Sequence, residues 1–182
     1  DTTNVTDMGS MFYVCKAIKT LDLTSFNTEN VTDMGQMFGY CYGVDEIKFS
    51  SNFKTLNVTN MSGMFCYCYG LTKLDVSGFN TSKVENMRDM FNSCSSITSI
   101  DVSRFNTANV TDMAVMFNQC MKVEALDVSG FNTSKVKSMS RMFGYCESLT
   151  SLDVSNFDTS QVQYMSSMFY HCSKLTSLDV SK

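Results

Sequence analysis

The segment LDVSGFNTSKVKSMSRMFGYCESLTSL, residues 126–152, starts and ends on the same element, and the next 26 residues run almost in parallel with it. Its centre is Met142-Phe143, with Cys146 three places further on. The same dipeptide stands at Met11-Phe12, Met37-Phe38, Met64-Phe65, Met90-Phe91, Met116-Phe117 and Met168-Phe169. The steps between pairs are 26, 27, 26, 26, 26 and 26 residues. A unit this short cannot bury its own apolar face, so a fixed period of this length means a stack of rungs, each covering its neighbours. Columns of equivalent residues therefore carry the information.

Within the unit, Val136, Met139, Met142, Phe143 and Cys146 lie at offsets 0, 3, 6, 7 and 10. That spacing reads as one stripe of an amphipathic helix. Ser82 with Glu85, and Asn109 with Asp112, fit the cap-x-x-acid pattern of a helix start. Leu152-Asp153-Val154 alternates in, out, in, as a very short strand does. The expected fold is thus an α/β solenoid of about seven units, each a short strand plus a helix. Strands repeat every 4.8 Å or so and helices need about 10 Å, so the array is expected to curve to the right. The column Phe26, Phe53, Phe79, Phe105, Phe131 and Phe157 is expected to fill the wide side of the wedge. Residues 1–182 form one repeat domain in this reading. They are expected to be a fragment lacking terminal caps, because Asp1 falls part-way into a unit.

The string Leu-Asp-Val-Ser-x-Phe-Asn-Thr-Ser-x-Val-x-x-Met-x-x-Met-Phe-x-x-Cys-x-x-Leu-x-x-Leu resembles the 26-residue repeat of bacterial surface proteins, the BspA-like leucine-rich repeats. The resemblance extends over essentially the whole chain. It implies a leucine-rich-repeat solenoid, an extracellular, cell-surface or lipoprotein context, and adhesion to a host or matrix partner.

Composition removes several function classes. A net charge of -4 disfavours nucleic acid, which demands basic stripes. No apolar run approaches the roughly 20 residues of a membrane span. Catalysis fails on inventory: His171 is the only histidine, there is no Gly-rich phosphate loop, and no nucleophile has a base placed by motif. No cofactor is implied, and no closely spaced pair of ligands marks a metal site.

The column cysteines, Cys15, Cys41, Cys68, Cys94, Cys120, Cys146 and Cys172, share the Met-Phe stripe and read as small buried side chains. Cys66 stands outside the column; it is expected to be exposed, and an intermolecular disulfide through it, like end-to-end stacking, would be a route to self-association. The Asp column (Asp22, Asp75, Asp101, Asp127, Asp153, Asp179) has three readings: acceptors for turn N–H groups, a partner surface, or calcium ligands. Tyr40 and Tyr42 recur one unit later as Tyr67 and Tyr69, with Tyr13 beside them, where later units carry Ser93, Gln119, Ser95 and Met121. The repeat does not demand these rings. They read either as a local packing variant or as a recognition surface. The second unit also departs from the pattern at Lys48, Phe49 and an extra residue near Ser51. The candidate binding residues are Tyr13, Tyr40, Tyr42, Tyr67, Tyr69, Lys48 and Phe49. The function expected is a non-enzymatic surface module that binds a protein or glycan, the alternative being a passive spacer presenting another domain.

Overall fold

The computed structural model describes residues 1–180. Among them there is no helix. Regular structure is confined to two strands, β1 (Thr20–Asp22) and β2 (Glu46–Lys48), paired in parallel with Leu21 opposite Ile47. The helix expected in every unit is replaced by a run of turns. This overturns the helix-containing leucine-rich-repeat solenoid.

The backbone hydrogen bonds show how. From Met37 to Cys41, donors alternate between two destinations. Met37, Gly39 and Cys41 N–H bond the carbonyl three residues back, at Met34, Gln36 and Phe38. Phe38 and Tyr40 N–H instead reach the next rung, at Met64 and Cys66. The pattern recurs down the stack, as in Phe91 to Met116 and Phe117 to Met142, each 2.9 Å. A helix would direct every N–H to the residue four back. Here two of those five donors hold adjacent rungs together and the other three close the turns, so all five backbone N–H groups are paired.

The turns are made possible by left-handed residues at two fixed places per rung. Two before each Phe stand Ser10, Gln36, Gly63, Asp89, Val115, Arg141 and Ser167; two after it stand Val14, Tyr40, Tyr67, Ser93, Gln119, Tyr145 and His171. All have φ between 54° and 64°. One of the fourteen is glycine, so the other side chains are held in a region that L-residues enter at a cost of roughly 1–2 kcal/mol each.

Spacing explains why turns win over helices. Consecutive rings of the Met-Phe column, from Phe12 to Phe169, stack with centroids 5.4–5.8 Å apart and planes within 10°. That separation is close to the strand repeat and about half what packed helices require. Parallel bridges also join successive rungs at Asp7, Asp33, Asn60, Asn86, Asp112, Ser138 and Tyr164. With both sides of the rung repeating near 5 Å, the wedge that was to curve the array disappears. The Met-Phe column is the continuous spine. Phe79 and Phe105 are buried beside it, 6.4 and 6.5 Å from Phe65 and Phe91, and fill no wide side.

The polar columns tie rungs together. Thr28, Thr55, Thr81, Thr107 and Thr133 are buried. The Thr107 hydroxyl donates to the Asn132 carbonyl at 3.0 Å and accepts the Asn132 N–H at 2.7 Å, so one side chain satisfies both backbone groups of the next rung. Column thiols work in the opposite direction: Cys94 donates to the Phe65 carbonyl at 3.2 Å and Cys120 to the Phe91 carbonyl at 3.3 Å. A cysteine is small enough for the packed stripe and still carries a weak donor.

Candidate functional site

The five tyrosines form one continuous patch. Tyr13 meets Tyr40 edge-on at 5.2 Å, Tyr40 stacks on Tyr67 at 4.5 Å, and Tyr42 lies 5.3 Å from Tyr69. Cross-contacts of 6.0 Å (Tyr40 to Tyr42) and 5.9 Å (Tyr67 to Tyr69) close the two columns into a sheet of rings. The Lys16 ammonium sits 5.3 Å above the Tyr42 ring, a cation–π contact at one edge. Tyr40 and Tyr67 stand two after a Phe and Tyr42 and Tyr69 four after, so rung spacing brings each pair to ring-packing distance, while Tyr13, one after Phe12, reaches Tyr40 from the preceding rung.

The patch is half exposed. Tyr13 and Tyr69 retain 39% and 40% of their surface, and Tyr40, Tyr42 and Tyr67 are partly covered by one another. Partial burial, reinforced by neighbouring Tyr67, raises the Tyr40 phenol above its ordinary value; burial does the same at Tyr69. These hydroxyls stay protonated at neutral pH and are available as donors and acceptors.

Lys48 and Phe49 do not join this patch. Lys48 is exposed on β2 and pairs with Glu46 at 3.6 Å. Phe49 turns into the core margin, 4.6 Å from Phe53, 5.4 Å from Phe79 and 6.2 Å from Phe38. The structure thus brings together the tyrosines among the sequence candidates and puts Phe49 to packing use.

Cys66 is buried, with 3% of its surface accessible, not exposed. Two glycines make room for it: a Cβ on Gly39 or Gly63 would approach its sulfur to 3.3 or 3.2 Å. Burial pushes its thiol up to about 12, which removes the basis for a reactive surface cysteine or an intermolecular bridge. Burial likewise raises Cys41 to about 11 and Cys146 to about 12.

The Asp column is engaged locally. Asp101 accepts from the Ser103 hydroxyl at 2.6 Å and from its N–H at 3.1 Å; Asp22 does the same with Thr24 and Asp127 with Ser129. These bonds hold Asp22, Asp75 and Asp101 below the usual carboxylate range. Among the described residues no cluster of His, Cys, Asp or Glu has the arrangement of a metal site. His171 stacks on Tyr145 at 5.0 Å and meets Tyr170 edge-on at 4.6 Å.

Sequence reasoning missed a groove of about 690 Å³ on the flank that precedes each Met-Phe pair. It is lined by Arg88, Lys137, Arg141, Ser140 and Tyr164 among others. The signal was present in the sequence as a change of residue type, from Asp or Asn to Ser138 and Tyr164, within a single column.

No curated protein and no solved structure matches the chain. A family model does, at residues 1–100, 45–127 and 97–182, overlapping segments that together take in the whole length. The chain belongs to the family described as Mycoplasma protein of unknown function, DUF285.

Proposed function

We propose that this chain is a non-enzymatic binding module displayed at a cell surface, and that the tyrosine patch contacts a protein or glycan partner. The observation that carries the reading is surplus: Tyr40 stacked on Tyr67 and Tyr42 packed against Tyr69 form half-exposed rings at positions where rungs four and five build the same backbone with Ser93, Ser95, Gln119 and Met121. Rigid rings with an apolar body and a polar tip supply contact area at low entropic cost, which suits interfaces and sugar platforms. The acidic net charge favours neutral or basic partners for this patch. The cell-surface setting rests on the resemblance of the repeat.

Glycan-array and matrix-protein binding by the wild-type chain, followed by Tyr42→Ala and Tyr69→Ala, tests it. At a true hot spot each change costs about 2 kcal/mol or more in binding. Tyr42 and Tyr69 are chosen because their φ values are ordinary and their loss leaves the left-handed positions untouched. Unaltered binding by the double variant would refute the site; absence of any ligand across both panels would favour the passive spacer.

A further inference from the structure

The groove on the flank that precedes the Met-Phe pair is set apart by a missing acceptor. In the first five rungs the residue five before each Phe is Asp or Asn, and its side-chain oxygen takes the N–H two residues on. Asp7 takes Gly9 at 2.7 Å, Asp33 takes Gly35 at 2.7 Å, Asn60 takes Ser62 at 3.0 Å, Asn86 takes Arg88 at 3.0 Å and Asp112 takes Ala114 at 2.8 Å. In rungs six and seven that residue is Ser138 and Tyr164. Among the described residues no side-chain or backbone oxygen accepts the N–H of Ser140 or Ser166. Two successive residues that line the groove, Ser140 and Ser166, therefore carry an N–H without the side-chain oxygen that five earlier rungs supply.

Positive charge gathers at the same place. Arg88 is occupied, 3.2 Å from Asp89 and 3.7 Å from Asp112. Lys137 and Arg141 line the groove beyond it without an ion-pair partner among the described residues. In a chain of net charge -4, two unpaired cations beside two unpaired N–H groups is a local reversal of sign. The oxygen that is missing is one a ligand can bring, and an oxyanion satisfies donors and cations together. Tyr164, 63% exposed in the same groove, adds an aromatic face of the kind on which a pyranose ring lies.

We infer that the groove built around Ser138, Ser140, Arg141 and Tyr164 binds an acidic carbohydrate, with a sulfate or carboxylate oxygen of the sugar accepting the Ser140 N–H beside Lys137 and Arg141. This site is independent of the tyrosine patch and holds whether or not that patch binds anything.

The decisive variant is Ser138→Asp, which restores the acceptor of the earlier rungs. It caps the Ser140 N–H and places a negative charge in the groove, so the fold gains a hydrogen bond while the ligand loses its seat. Ser138→Asn caps the same N–H without charge. The probes are a heparin oligosaccharide, a hyaluronan oligosaccharide, neutral maltoheptaose, inorganic sulfate and a poly-glutamate peptide, read by calorimetry or by amide shifts of Ser140. Expected are saturable binding of at least one acidic oligosaccharide and none of maltoheptaose. Ser138→Asp should weaken binding at least tenfold, Ser138→Asn and Arg141→Gln should weaken it several-fold, and Tyr42→Ala should leave it unchanged. Unfolding midpoints of the Ser138 variants at or above wild type confirm that loss of binding is local. The proposal is overturned if no acidic oligosaccharide binds, if Ser138→Asp binds normally, or if poly-glutamate or sulfate alone binds as tightly as the sugar.

Discussion

Replacing Thr107 by Val tests whether a single buried hydroxyl holds two rungs together. The side chains are nearly isosteric, so no cavity opens, and Thr107 has 1% of its surface exposed. What is lost is the pair of bonds to the Asn132 carbonyl (3.0 Å) and N–H (2.7 Å). Each backbone group left without a partner costs roughly 1–3 kcal/mol if water is kept away. The Asn132 side chain is exposed, so water reaches one edge of the bond, which places the sum at about 2–3 kcal/mol rather than the upper extreme. Thr107→Ser keeps both bonds and loses one methyl, about 1 kcal/mol. Urea unfolding followed by tyrosine fluorescence and by circular dichroism measures both variants. Because stability in a repeat array is a sum of rung and interface terms, the two probes should separate in Thr107→Val, as rungs beyond the weakened interface melt first. A Thr107→Val midpoint within error of wild type would refute the role assigned to the threonine column.

Three further outcomes are expected. Val115 is β-branched at φ 64°, so Val115→Asn, which tolerates the left-handed region, should raise stability by about 0.5–1 kcal/mol in urea titrations; a loss of similar size would show that the turn is not strained there. Native thiol labelling followed by mass mapping should modify Cys15 and Cys172, the half-buried pair, well before Cys66, Cys94 or Cys120, and fast labelling of Cys66 would contradict its burial. The Asp carboxylates accept turn hydrogen bonds, and their pKa values are lowered from 3.8 at Asp22, Asp75, Asp101 and Asp158. A lowered carboxylate stabilises the fold above its unfolded value and ceases to do so as pH falls through its folded one. Unfolding midpoints should therefore hold steady near neutrality and drop below about pH 4, with a shallower drop in Asp101→Asn; an equal drop in that variant would remove Asp101 from the account.

The period, the columns and the inward side of each column were legible because stacking forces identical environments on equivalent residues. Val136, Met139, Met142, Phe143 and Cys146 are all buried, as their spacing demands. The conformation joining them was not legible from the same spacing. Steps of 3, 3, 1 and 3 put side chains on one face of a helix, and they do so equally in a chain of turns with a left-handed residue every few places. Glycine, the usual marker of such residues, stands at one of the fourteen, so the marker was absent. The cap pattern was equally ambiguous: Asp112 accepts the Ala114 N–H as a turn acceptor, and Asn109 bonds the Ser82 carbonyl one rung back. Cys66 was misplaced because its column holds mostly polar or small residues. Asn92 and Asn118 in that column are buried, joined to each other at 3.0 Å, so polarity there does not mean exposure. One clue pointed the other way from the start. Helices about 10 Å wide sit poorly beside strands repeated near 4.8 Å, and the mismatch is removed when every part of the rung adopts the strand spacing.

The most direct test of the stack of turns is a measurement of where the Phe91 N–H goes, by scalar coupling through the hydrogen bond in a labelled sample. The account predicts coupling to the carbonyl of Met116, one rung away, across the 2.9 Å bond. Coupling to the carbonyl of Met87, four residues back as in a helix, would contradict it.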